Sequence, residues 1–400
     1  MLPDPVCTPT APNATIAVTL SHETHRRLLK PYHTQVPNMS QSPHKNSNDS
    51  SRRDFLKTAT IAGAAAAVTA GSGPLILNAS DKAGSKRARV GQGEFVYECD
   101  HHFGQVPDHI QWGDTHGVCV DEAGLIYVKH RQKTDEPMDA IVVFDADGKF
   151  VRSFGKEYHG GGHGIDVRKE GNEEFLYLSN TSLGTTAKTT LTGEQVWVKE
   201  VPKESGKYDN GEKYSPTNIC FGPDGGFYIG DGYGSSFLHQ YDADANYVRT
   251  WGGKGREAGE MSTPHGQWLD DRAGRQPSLI VADRANGRMQ YFTLDGEHIE
   301  FMYDVLFPAD IDIRGEILMV PDLHARISLF DKNNTLITHL GDDAAWRKKV
   351  LDGFKVRQQP ETWQAGKFIH PHDAAFDHDG NIYVAEWVPT GRVSFLRHVG

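Results

Sequence analysis

The chain predicts an all-β fold, a six-bladed β-propeller over residues 93–400 with an N-terminal strand closing the ring. Two observations carry this prediction. A unit of short apolar strand, Asp/Gly turn and "IYV"-like strand recurs six times, starting at His116, His163, Thr217, His265, Ala309 and His372, at intervals typical of propeller blades. Most copies are followed by a second hairpin, clearest in "AIVVFDADGKFVRSFG" and "FLHQYDADANYVRTWG", which makes four strands per unit.

Residues 1–50 are rich in Pro, Ser, Thr, Asn and His without apolar periodicity and are expected to be a disordered extension. Residues 51–79, opening "SRRDFLKTATIAGAAAAVTAGSG", carry the pattern of a twin-arginine signal segment: Arg52 and Arg53, Phe55, Leu56 and Lys57, then a mild Ala-rich run. That run is too short and too weakly apolar for a membrane span. The expectation is export by the twin-arginine route to a periplasmic or extracellular location, with cleavage of the signal; an uncleaved anchor is the alternative. Met39, shortly upstream, is a candidate start.

The propeller itself follows. The last unit ends near Gly400 after a third strand, "RVSFLRHVG", and lacks a fourth; the spare strand "GEFVYECD", Gly93 to Asp100, can complete it and remove the open edges. The long step before the last blade contains "DDAAWRKKVLDGFKVRQQPETW", a helix-compatible insertion on one rim. Cys7 precedes the signal, while Cys99, Cys119 and Cys220 read as small core residues and not as a disulfide framework.

An apolar fraction of 38%, 24% charged residues and a net charge of −11 describe an ordinary globular chain. They argue against nucleic acid or an anionic membrane as partner, since both reward clustered Lys and Arg. A small molecule or a peptide C-terminus is the expected ligand, bound by a monomer whose mature domain does not insert into a membrane.

The first residue of each innermost strand forms a ring around the channel. His163, His265 and His372 fall on alternate blades, related by about 120° in a six-bladed ring. Three imidazoles converging there match a three-His metal site with an open position. The bland alternative is that His-Gly and His-Asp merely cap strand entries, and His116, in blade one, reads as a non-ligand. At the strand ends nearest the channel mouth, Arg131, Tyr233 and Arg284 can clamp a carboxylate and move a proton, or the arginines can simply pair with carboxylates between blades. Asp373 pairs with backbone N–H groups or binds a hard cation together with carbonyls. His370 reads as a rim residue near the pocket.

These residues resemble the peptidyl-α-hydroxyglycine α-amidating lyases, zinc-dependent six-bladed propellers of the NHL-repeat group. The likeness covers most of Val118 to Leu396 and is best from Ser215 to Phe292, through "DGYGSSF", "TPHGQWL" and "VADRANGRMQYF", with "HPHDAAFDHDGNIYV" similar to the last blade. The resemblance implies catalytic zinc on His163, His265 and His372, and Tyr233 as base flanked by Arg131 and Arg284. It also implies a structural calcium on Asp373 and the carbonyls of Val118 and Ile165. The implied reaction splits a peptidyl- or N-acyl-α-hydroxyglycine into an amide and glyoxylate. Gly234, Ile280 and Tyr291 stand where animal members have disulfide cysteines, and no copper monooxygenase region accompanies the propeller. The alternative is a non-catalytic NHL-type propeller that binds a peptide, glycan or protein on one rim.

Overall fold

The structure, a computed structural model, describes residues 87–400. The N-terminal extension, the twin-arginine segment, Met39 and Cys7 lie outside the described residues. The chain opens with β1 (Ala88–Gln92) and β2 (Phe95–Asp100). Blade one is β3 (Asp114–Val120), β4 (Ile126–Arg131), β5 (Ile141–Phe144) and β6 (Phe150–Phe154). Blade two is β7 (Gly162–Glu170), β8 (Glu173–Asn180), β9 (Thr185–Thr190) and β10 (Gln195–Lys199). Blade three is β11 (Asn218–Phe221), β12 (Phe227–Gly230), β13 (Phe237–Tyr241) and β14 (Tyr247–Gly252). Blade four is β15 (Pro264–Asp270), β16 (Ser278–Asp283), β17 (Arg288–Phe292) and β18 (His298–Met302). Blade five is β19 (Asp312–Arg314), β20 (Ile317–Asp322), β21 (Arg326–Phe330) and β22 (Leu336–Leu340). The last three strands are β23 (Pro371–Phe376), β24 (Ile382–Glu386) and β25 (Val393–His398).

These strands form six antiparallel sheets, and the fold is a six-bladed propeller. In the sixth sheet the order is β1-β2-β25-β24-β23, so the chain's first strands complete its last blade. Tyr97 pairs with His398 and Asp100 with Phe395. Residue 93, the expected start of the propeller, is in the turn of the β1–β2 hairpin, and the sheet begins earlier, at Ala88. A fifth strand covers the edge that β2 alone would leave open.

The apolar faces of adjacent blades pack on one another. Between blades one and two, Cys119, Tyr127, Ile141 and Val143 meet Ile165, Leu176 and Leu178. Cys99, Cys119 and Cys220 are buried and free, as expected of small core residues. Glu386 latches the closing blade: its carboxylate accepts from the Ile369 N–H at 2.7 Å and from Ser394 Oγ, and lies 3.3 Å from Arg392 Nε.

The insertion before β23 forms helix α1 (Ala344–Leu351). Asp343 caps it, accepting from the N–H groups of Ala345 and Trp346. Trp346, Val350 and Val356 bury against Ile369 and Val388, and the Trp346 indole donates to the Phe368 carbonyl at 2.6 Å. This packing pins the insertion to blade six beside the channel mouth. Among the described residues, no helix is long and apolar enough to cross a membrane.

Candidate functional site

The four channel histidines share a local device. Each lies at an irregularity in strand pairing: His116 between Thr115 and Gly117, His163 between Gly162 and Ile165, His265 between Pro264 and Gln267, and His372 between Pro371 and Asp373. A bulge at such a point re-aims a side chain. Glycine follows three of them because neighbouring blades come close: a Cβ on Gly164 would lie 2.3 Å from Asn218 Oδ1 and 2.7 Å from the Thr217 carbonyl oxygen.

His163, His265 and His372 are brought together, with one ligand atom from each lying within 4.8 Å of the others, and all three are buried. Their Nδ1 atoms point outward to main-chain carbonyls of the following blade. His163 reaches Thr217 O at 2.6 Å, His265 reaches Ala309 O at 2.6 Å and His372 reaches His116 O at 2.7 Å. A carbonyl only accepts, so Nδ1 carries the proton and Nε2 keeps its lone pair. Nε2 of His163 and of His372 is buried with no partner. Burial pushes His163 and His265 well below the ordinary imidazole value and His372 down to about 3, so all three are neutral near pH 7. Three neutral imidazoles with converging lone pairs fit a metal ion, and these residues can hold one.

His116 stands apart. Its Nδ1 turns to its own strand, 2.8 Å from Asp114 O, and its ring packs against His372 with centroids 4.6 Å apart.

Tyr233 and Arg284 meet at this centre. The phenol oxygen is 3.1 Å from His265 Nε2, and Arg284 Nη1 donates to it at 3.2 Å. The guanidinium lies between the rings of Tyr233 and Phe307, 5.1 Å from each centroid. Arg284 is buried, its Nε has no partner, and no carboxylate pairs with it among the described residues. A buried cation without a counter-ion suits an anionic group.

Arg131 is arranged differently. Its Nη2 pairs with Asp114 Oδ2 at 3.1 Å on the adjacent strand, and Arg357, from the insertion, pairs with Asp114 Oδ1 at 2.8 Å. Arg357 also lies flat on Trp387, with Cζ 3.4 Å from the ring centroid. Two guanidiniums share one carboxylate, and both Nε atoms remain buried and unpaired. Arg131 thus takes the paired role open to it from sequence, while Arg284 does not.

Deeper in the channel, Val118, Ile165 and Asp373 line a cavity of about 150 Å³. Asp373 Oδ2 accepts from the Val118 N–H at 2.8 Å. In an extended strand the N–H and C=O of one residue face the same edge, so the Val118 carbonyl also faces this channel. Asp166, Asp310 and Asp312 line the same cavity, and Asn218 Nδ2 holds both oxygens of Asp310 at 2.9 and 2.7 Å. Burial raises Asp373 to about 7 and Asp166 and Asp310 well above the carboxylate range, with the charge of neighbouring aspartates adding to it. Such a set of oxygens suits a hard cation.

The chain is distantly similar to the amidating enzymes. It is 24% identical over 265 residues to the peptidyl-glycine alpha-amidating monooxygenase of Mus musculus, covering 62% of this chain and 25% of that protein. The Rattus norvegicus protein gives the same identity and coverage, and the A form of Xenopus laevis is 26% identical over 258 residues, 62% of this chain. The chain spans about a quarter of the length of these relatives. Residues 49–69 match the twin-arginine translocation pathway signal sequence model, which indicates export by that route. Among solved structures, a streptogramin B lyase is 14% identical with a TM-score of 0.48, covering 75% of this chain and 97% of its own. An inactive virginiamycin B lyase from Staphylococcus aureus with quinupristin is 13% identical with a TM-score of 0.48, covering 76% of this chain and all of its own.

Sequence reasoning singled out the three histidines, Tyr233 and Arg284, which the structure brings together, and Arg131 and Asp373, which it sets against Asp114 and on the lower cavity. It missed Arg357, which carries no repeat signature because it comes from the insertion. It also missed Asp166, Asp310 and Asp312, although "HGID" and "ADID" place them one and three residues into the same innermost strands. His370, read as a rim residue near the pocket, is buried beside it, its Nδ1 2.7 Å from Leu323 O.

Proposed function

We propose that the protein is a zinc-dependent lyase that cleaves the C–N bond of a peptidyl- or N-acyl-α-hydroxyglycine, giving an amide and glyoxylate. The observation that carries this reading is a cluster of three outward-pinned imidazoles with ligand atoms within 4.8 Å of one another, a phenol that reaches His265, and a buried guanidinium without a carboxylate partner that reaches the phenol. The distant similarity to amidating enzymes supports it. His163, His265 and His372 would hold the zinc, which when bound supplies Lewis-acid chemistry at the substrate oxygens.

The chain's own groups account for the rest. Arg284 binds the substrate carboxylate through its free N–H donors and fixes the α-carbon beside Tyr233. In its phenolate form Tyr233 takes the proton of the α-hydroxyl; the O–H electron pair forms the aldehyde C=O, and the C–N pair departs with nitrogen. The same phenol returns the proton to that nitrogen, so amide and glyoxylate leave without redox change. Arg131, held with Arg357 on Asp114, sets the second cationic wall of the mouth. A structural calcium on Asp373 with the carbonyls of Val118 and Ile165 would neutralise the acidic cavity below.

In this reading the exported protein acts as a monomer in a periplasmic or extracellular setting, on a small molecule or a peptide C-terminus. The test is glyoxylate release from an N-acyl-α-hydroxyglycine by the zinc-loaded protein. Metal-dependent product is expected; stoichiometric zinc without product, or no zinc at all, would leave the NHL-type binding propeller as the better description.

A further inference from the structure

Trp387 is the common wall of two cavities at the channel mouth. On one side lies a polar cavity of about 290 Å³ with Asp114, Arg131, Lys133 and Arg357. On the other lies a cavity of about 190 Å³ that Tyr233, Arg284 and His372 share with Phe307, Leu323 and Phe354. The second is therefore continuous with the reacting groups, and the remainder of its wall is largely apolar.

That wall is built to hold its shape. The Asp322 carboxylate accepts from the N–H groups of Phe307 at 3.1 Å and His324 at 2.9 Å. The His324 ring stacks on Phe307 with centroids 5.1 Å apart and planes 6° from parallel. His370 fixes Leu323 through its carbonyl and packs its ring on Phe354 at 5.1 Å and on Trp387 at 5.8 Å. Phe354 is the exception to ordinary packing: it is 46% exposed and sits at φ 55°, a backbone conformation rarely taken by a bulky residue. A large aromatic held half in solvent and in a costly conformation, on the lip of a cavity that adjoins the reacting groups, is the mark of a functional position.

We propose that this cavity is the acyl subsite, and that the substrates are α-hydroxyglycines whose N-acyl group is compact and apolar, with an aromatic group preferred. The inference rests on the lyase reading for the orientation of the substrate. With the carboxylate on Arg284 and the hydroxyl at Tyr233, the acyl group is the part left to occupy the apolar wall. The cavity, about 190 Å³ in all and shared with the glycine part of the substrate, restricts the acyl group to a compact one, a benzene ring by itself occupying an apolar cavity of about 150 Å³. The unpartnered, buried indole N–H of Trp387 offers a donor for the acyl carbonyl.

The experiment is calorimetric titration of the zinc-loaded full chain with N-benzoylglycine and N-acetylglycine, which carry the same carboxylate and no reactive hydroxyl. N-benzoylglycine should bind about ten-fold or more tighter, from burial of its ring, and Phe354→Ala should bring the two constants together. Equal binding by the unaltered protein, or a preference that Phe354→Ala leaves in place, would overturn the subsite. Glyoxylate release from the α-hydroxy derivative of N-benzoylglycine reports separately on the chemistry. A binding preference without glyoxylate keeps the subsite and removes the lyase; glyoxylate without a preference does the reverse.

Discussion

The Nδ1 atom of His372 lies 2.7 Å from the main-chain carbonyl oxygen of His116. One histidine thus orients another through its backbone, and the same relation joins His163 to Thr217 and His265 to Ala309. Alternate blades supply imidazoles, and the blades between supply the carbonyls that hold their tautomer. The side chain of His116 has no part in this. His116→Ala should therefore retain stoichiometric metal, whereas His163→Ala, His265→Ala and His372→Ala should each lose most of it, as read by elemental analysis of purified protein.

Tyr233 touches both His265 and Arg284 through one oxygen. Removing that oxygen takes away the proton carrier and leaves the imidazoles in place. Tyr233→Phe should lower kcat for glyoxylate release by about a hundred-fold or more while metal content stays constant. A parallel loss of metal would make the phenol a support of the triad.

Arg284 binds in a plane, between two aromatic rings, with donors spread along its fork. A lysine ammonium reproduces the charge and not the fork. Arg284→Lys should reduce kcat/KM by about ten- to a hundred-fold, and glyoxylate, as a product carboxylate, should inhibit the unaltered protein competitively and the variant much less.

The acidic cavity makes the cation-free protein sensitive to alkali. Burial raises Asp373 to about 7, above its unfolded value, so the folded chain binds the proton more tightly. Its contribution to stability is complete below about pH 4 and is lost as pH rises through 7. Melting temperature in chelator should fall across that window, and added calcium should restore it. Asp373→Asn should weaken the pH response, which Asp166, Asp310 and Asp312 share, and abolish the calcium effect; a calcium response that survives the substitution would place the cation elsewhere.

Glu386 shows the opposite sign. Burial by itself would raise this carboxyl, but Arg392, with His101 and Ser394, outweighs burial and holds it at about 2. The folded value lies below the unfolded one, so stability is full above about pH 4.5 and is lost as pH falls towards 2. Glu386→Gln should cost about 3 kcal/mol at neutral pH, the usual penalty for leaving a buried charge unpaired. Denaturant midpoints for the two proteins should converge in acid.

The propeller was legible because each blade repeats one strand–turn–strand unit, and the repeat alone makes neighbours of His163, His265 and His372. Three kinds of feature were hidden. The bulges that aim the histidines depend on register against β4, β8, β16 and β24, which no single strand specifies. The pairing of Arg357 with Asp114 depends on the path of the insertion across the mouth, fixed by burial of Trp346 and Val350. The strand Ala88–Gln92 follows a long polar and Ala-rich leader and has its pairing partner only through β2. Local pattern reports what a residue can be, whereas these three were settled by what came to lie beside it.

The closing blade also sets an order of events in time. Glu98 leaves the ribosome well before Arg397, its partner 299 positions later, yet the two must meet for the sixth sheet to exist. The first strands of the propeller therefore remain an unfinished edge throughout synthesis, and the ring shuts as a late, long-range step. Since the twin-arginine route carries folded chains, the segment at residues 49–69 emerges before the propeller but is of use after it has folded. The sixth sheet is complete only when Val393–His398 docks between its neighbours β2 and β24.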